Sequence, residues 1–311
     1  MHKWGTLVGE HMRRNVGDTG PCGLRPWANI EDVNSRILGG KDTRLGAWPW
    51  MVSMQLVTHN GQRDLSQWHL VVGVREVQRA GASIPGPFAQ ERRAVHILLH
   101  EQYNSWNENN DIALVEMNEP VYCGYMVQTA CLPRPSDAPV RDSEPCIIAG
   151  WGYKEENALQ PAAILQEAEV KIISLETCNG TEWYHGFIHS SNLCAGYPEG
   201  KIDTCQGDSG GPLMCKDKNS DTFVVTGITS WGTGCGRVKR PGVYTSTGSF
   251  LEWIVSKIGG DPTLNTPPPI ENSILKPRRG RLGRGVAPKS RTSFIRAKQD
   301  IPKGKWGPFL L

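Results

Sequence analysis

No stretch of this sequence stays apolar long enough to cross a bilayer as a helix, which takes about 20 residues. No apolar heptads run through it either. Its nine cysteines never fall into a C-x-x-C pair, which argues against a zinc site. Glycine-rich nucleotide loops are missing as well, so no cofactor is implied. Met1–Gly20 has no apolar core of the kind a secretory leader carries, and the N-terminus therefore reads as incomplete.

What is present points to an all-β chain. Its 311 residues leave room for one two-lobed β domain or two small ones, plus appendages. Glycine and proline are plentiful, and short β-rich runs recur, such as Cys146–Gly152 and Phe223–Trp231. These predict strands of a sandwich or barrel. Dispersed cysteines in such a chain argue for disulfides and an oxidising compartment, and their odd number leaves at least one outside any internal pair. Asn179-Gly180-Thr181 is an acceptor sequence for N-glycosylation and agrees with secretion.

Three parts follow along the chain. Residues 1–36 are polar and contain Cys22. Residues 37–260 hold every other cysteine and nearly all the strand-like runs, ending in Ser249–Ile258, whose helical spacing stops at Gly259-Gly260. Residues 261–311 are rich in proline and arginine, cannot bury a core, and are expected to be disordered. That tail carries eleven Lys and Arg against three Asp and Glu, a balance of +8; the whole chain's +3 leaves −5 for the rest.

The chemistry concentrates in Cys205-Gln206-Gly207-Asp208-Ser209-Gly210-Gly211-Pro212-Leu213. A serine set among glycines in a tight turn suits a nucleophile. The backbone N–H groups of Gly207 and Ser209 would face a developing oxyanion. This run resembles the nucleophile loop of trypsin-like serine proteases, and residues 37–260 are similar to that family throughout.

The resemblance implies a two-lobed antiparallel β-barrel fold with a C-terminal helix, acting as a serine endopeptidase on protein substrates. Arg36-Ile37-Leu38-Gly39-Gly40 matches the family's activation site, where cutting after Arg36 frees the Ile37 amine to pair with Asp208. Asp111, in Asn110-Asp111-Ile112-Ala113-Leu114, matches the aspartate that orients the base. Asp203, with Thr204, matches the pocket floor, which would select arginine or lysine side chains; Trp231, Gly232, Gly234 and Gly242 resemble the pocket walls. The family pattern implies disulfides Cys146–Cys215, Cys178–Cys194 and Cys205–Cys235. It also implies a tether from Cys22 to Cys131 or Cys123, with Cys131 the expected partner.

Cys194–Cys205, Arg240–Thr247 and Gly20–Arg25, together with the proline-rich tail, resemble the branch of the family found in the sperm acrosome. Sulfated egg-coat glycoproteins are then natural partners, and a secreted or acrosomal location is expected. Nothing in the sequence implies nucleic-acid binding.

One part of the family pattern is missing. The histidine base normally sits in a Thr-Ala-Ala-His-Cys turn, but the chain passes from Thr58-His59-Asn60-Gly61 straight to Leu65-Ser66-Gln67-Trp68-His69. The gap is on the order of two dozen residues, room for a strand and the turn. His59, His69, His96 and His100 lack the family's context and read as strand residues. A first barrel left incomplete is expected, along with a loss of roughly 10⁶-fold in kcat. An alternative function follows, that of an inactive protease-fold protein that binds sulfated glycans or egg-coat glycoproteins through basic surface and tail. The intact Asp111, Asp203, Asp208 and Ser209 weigh against it.

Overall fold

Among the described residues, runs of β-branched and apolar residues bounded by turn formers become strands. The computed structural model describes residues 2–8, 22–26, 40–56, 65–77, 86–135, 137, 140–218, 220–258 and 309–310. In chain order the strands are β1 (His2–Val8), β2 (Lys41–Asp42), β3 (Met51–Leu56), β4 (Trp68–Val72), β5 (Gln90–Leu99), β6 (Ala113–Met117) and β7 (Pro145–Gly150). They continue with β8 (Gln166–Ile173), β9 (Asn192–Gly196), β10 (Pro212–Lys216), β11 (Phe223–Trp231), β12 (Gly242–Ser246) and β13 (Phe309–Leu310). Helices α1 (Leu175–Cys178) and α2 (Leu251–Ile258) complete the set.

The first barrel closes in the order β1-β13-β6-β5-β4-β3. The open edge expected from the missing segment is filled. β1 runs antiparallel to β3 from His2↔Gln55 to Thr6↔Met51, and β13 bridges β1 to β6. Met51–Gln55 of β3 are all buried, and unpaired N–H and C=O groups there would have no water to bond. The chain's own extended segments supply the partners. Phe309–Leu310 thus form a strand inside the tail expected to lack structure; residues 261–308 of that tail, and Arg36 and Ile37, lie outside the described residues.

The second sheet runs β2-β8-β7-β10-β11-β12-β9, and an extra β8–β9 pairing returns it upon itself. The two sheets share one core. Trp50 and Trp151 are fully buried within it, and each indole N–H finds a partner, Met214 Sδ at 3.1 Å and Arg75 O at 2.9 Å respectively. Disulfides join Cys146 to Cys215, Cys178 to Cys194, Cys205 to Cys235 and Cys22 to Cys131. Cys123 is buried and outside these four bonds. Beyond Cys22, Arg25 stacks its guanidinium 3.8 Å over the Trp48 ring and donates to Ala47 O, so the N-terminal part is bound to the core by contacts as well as covalently.

α2 buries Leu251 and Ile254 against Ile112, Leu114, Leu132 and Ile228. On its outer side Trp253 donates to Glu101 Oε2 at 2.8 Å, and the His100 ring packs on Phe250 and Trp253. The helix therefore fixes both ends of the 100–112 loop that delivers Asp111. No helix among the described residues is long and apolar enough to cross a membrane.

Candidate active site

Gly207 and Gly210 have φ of +92° and +84°, a region that costs residues with a Cβ, so the turn around Ser209 needs them. Two bonds fasten this turn to β11: Gly210 N donates to Thr229 O at 2.9 Å, and Thr229 N donates to Gly211 O at 2.8 Å. Ser209 is left exposed at the tip. The N–H groups of Gly207 and Ser209 have no hydrogen-bond partner among the described residues, so both remain available to an incoming oxyanion.

The next residue on β11 holds Asp111. Ser230 Oγ donates to Asp111 Oδ2 at 2.6 Å, and Thr245 Oγ1 on β12 donates to Asp111 O at 2.8 Å. The residue after that, Trp231, packs edge-on against Tyr184 with ring centroids 5.0 Å apart. Three consecutive positions of one strand thus hold the serine turn, the aspartate and the Tyr184 ring.

Asp203 lies beside Gly242 and lines a cleft with Thr204 and Asp208. Its carboxylate accepts from Thr204 N at 2.8 Å and Gly236 N at 3.0 Å. Burial nevertheless pushes its pKa up to about 6, against the pull of those donors and of Gly242 N–H. A Cβ at Gly242 would come within 2.8 Å of Asp203 Oδ1, so glycine is what leaves the carboxylate room. Gly234 (φ +75°) backs onto an ion pair between Arg237 and Glu156, and Glu156 also accepts from Cys235 N.

Asp208 lies against the backbone of Gly150 and Gly152. It accepts from Gly152 N at 2.8 Å and Cys205 N at 2.9 Å, and burial pushes its carboxyl up to about 6 as well. Its side chain lies across Gly150 and Gly152; a Cβ on Gly150 would sit 2.0 Å from Oδ1. The same cleft is lined by Gly40, Gln166, Asp203 and Thr204. Gly150→Ala is therefore expected to cost about 1–3 kcal/mol in urea unfolding. In the Asp208→Ala background most of that cost should vanish; equal costs in both backgrounds would refute the contact.

Sequence reading alone missed Gly150, Gly152, Ser230, Thr245, Tyr184 and the Glu156–Arg237 pair. The only sequence signal for the first two was the run Cys146–Gly152, read simply as a strand. Five histidine rings have partners elsewhere. His69 meets Glu91, His96 meets Glu116, and His100 packs on α2. His185 bonds Thr181 O, and His189 bonds Asn107 O. None of these bonds comes from Asp111 or Ser209. His59 lies outside the described residues. Asn179 spends its side-chain amide on the backbone of Ile188, donating to O at 3.1 Å and accepting from N at 3.0 Å.

The family model described as Trypsin matches residues 37–254. The chain is 37% identical over 235 residues to transmembrane protease serine 7 of Mus musculus, a match covering 70% of this chain and 28% of that protein. The Rattus norvegicus protein of the same name matches equally, at 37% over 235 residues and the same coverage. The chain thus spans little more than a quarter of the length of these relatives.

Proposed function

The chain belongs to the trypsin family, and from that premise we propose an acrosin-like serine endopeptidase that cuts after arginine or lysine and is made as a zymogen. Ser209 is the nucleophile, Gly207 and Ser209 N–H form the oxyanion site, and Asp111 is the orienting carboxylate. The base histidine is missing from the chain as written.

The observation that carries the specificity is Asp203, whose carboxylate is raised in pKa by burial and braced by backbone N–H groups. A guanidinium or ammonium reaching it would supply the opposite charge that this site lacks, and would lower its pKa again. Gly232, Gly234 and Gly242 keep the approach open. Activation is supported by Gly40, which lines the cleft holding Asp208 and lies three residues after Ile37. That is at most about 10 Å of extended chain, short enough for the Ile37 amine to reach Asp208. Four disulfides suit an oxidising, secretory environment.

Binding of benzamidine, an aryl amidinium, tests the pocket without needing the base. Protein cleaved after Arg36 should bind it, and Asp203→Ser should weaken binding roughly 10²-fold or more. Binding that ignores Asp203 would dismiss the assigned specificity. The reading as a binder of sulfated egg-coat glycoproteins has only the tail's charge behind it.

A further inference from the structure

The first barrel contains two strands that come from the far ends of the chain. Without β1 and β13, the order would be the four-stranded sheet β6-β5-β4-β3, ending in two bare edges. The β3 edge is not a surface feature: Met51, Val52, Ser53, Met54 and Gln55 are all buried, Ser53 and Val52 completely. Gln55 Nε2 donates to Ser53 Oγ at 2.9 Å, so the polar side chains of this strand satisfy each other and leave its backbone to be paired by a neighbour. β1 supplies that neighbour over five register pairs, and its last two residues pair with β13 as Leu7↔Leu310 and Val8↔Phe309.

We propose that the slot between β3 and β6 is a strand-accepting site, and that His2–Val8 is its donor strand, held in place by the Cys22–Cys131 disulfide. The pairing is made of main-chain hydrogen bonds, so the ligand chemistry is an extended, proline-free peptide laid antiparallel to β3. His2–Val8 contains no proline and ends fourteen residues before Cys22. Because Cys22 is bonded to Cys131, docking is intramolecular, at an effective concentration of about millimolar for a linker of this kind. The arrangement also survives a cut after Arg36, since the disulfide joins a residue before that point to one after it. The disulfide then keeps the N-terminal segment with the barrel after that cut.

Amide hydrogen exchange on the full chain tests this. In the double variant Lys3→Pro/Trp4→Pro one of the two prolines removes a donor facing β3, and both break the strand. Alternate amides of Met51–Leu56, those directed at β1, should lose protection by about 10²-fold or more, while Pro145–Gly150 stays protected. Added synthetic His2–Val8 peptide should restore it. Unchanged protection of β3 in the variant would overturn the proposal.

A second variant does not depend on that one folding. Trp4→Cys/Ser53→Cys places thiols at a register pair and should form an intramolecular disulfide, mapped by peptide mass. Lys3→Cys/Ser53→Cys, one residue out of register, should form far less. Equal yields from both, or none from either, would refute the assigned pairing.

Discussion

Cleaved after Arg36, the chain as written is expected to hydrolyse a peptidyl-arginine amide roughly 10⁶-fold more slowly than the same chain given a Thr-Ala-Ala-His-Cys segment between Asn60 and Leu65. A serine hydroxyl is a poor nucleophile until a neighbouring base takes its proton. Asp111 is bound by Ser230 and Thr245, and its part in the proposed reaction would be to orient an imidazole, not to replace it. The rings of His69, His96, His100, His185 and His189 are engaged elsewhere. What would remain is the proposed oxyanion site and pocket; such features together give roughly 10³–10⁴ over water in the subtilisin case. Ser209→Ala should therefore change little in the chain as written and abolish activity in the chain with the insert. The measurement is kcat/KM for all four proteins. A large effect of Ser209→Ala in the chain as written would mean that another base is at work, and the assignment would fail.

Asp208 should reverse its pH behaviour on cleavage. Before the cut its pKa is about 6, raised by burial from an ordinary 3.8. The folded state then holds a proton that the unfolded chain gives up, so the stabilising contribution is full below the ordinary pKa and is lost as pH rises through about 6. A rise of about two units corresponds to about 3 kcal/mol. Asp208→Asn, which cannot ionise, should gain that amount relative to wild type between about pH 3.5 and about pH 7.5. Taking the difference cancels any constant penalty from the amide. After cleavage, pairing with the Ile37 ammonium would hold the carboxyl below its ordinary value. Its contribution would then be present at neutral pH and fade in acid. Urea midpoints of both forms, each against Asp208→Asn, read the sign directly. The same slope before and after cleavage would rule out the ion pair.

Much of this was visible in the residues themselves, and the reason lies in sequence distance. The Ser209 turn was legible because its chemistry is local: glycines at fixed offsets permit the φ values observed at Gly207 and Gly210. The run Phe223–Trp231 was read as a strand and is one with the same bounds, while the helix read in Ser249–Ile258 begins at Leu251. Asp111 became recognisable only through resemblance, since an aspartate before a strand is commonplace. Its partner Ser230 is 119 residues away, and Gly152 is 56 from Asp208. No local pattern encodes either pairing. β1 escaped notice because a short mixed run becomes a strand only when a buried edge elsewhere needs one.

Thr229, Ser230 and Trp231 also set how the parts answer one another. In the proposed pocket a bound side chain would press on Trp231, one residue from the hydroxyl that holds Asp111 and two from the carbonyl that anchors the serine turn. Occupying the pocket would then stiffen the proposed reacting groups, and by thermodynamic reciprocity an inhibitor fixed to Ser209 would tighten the grip on a basic side chain.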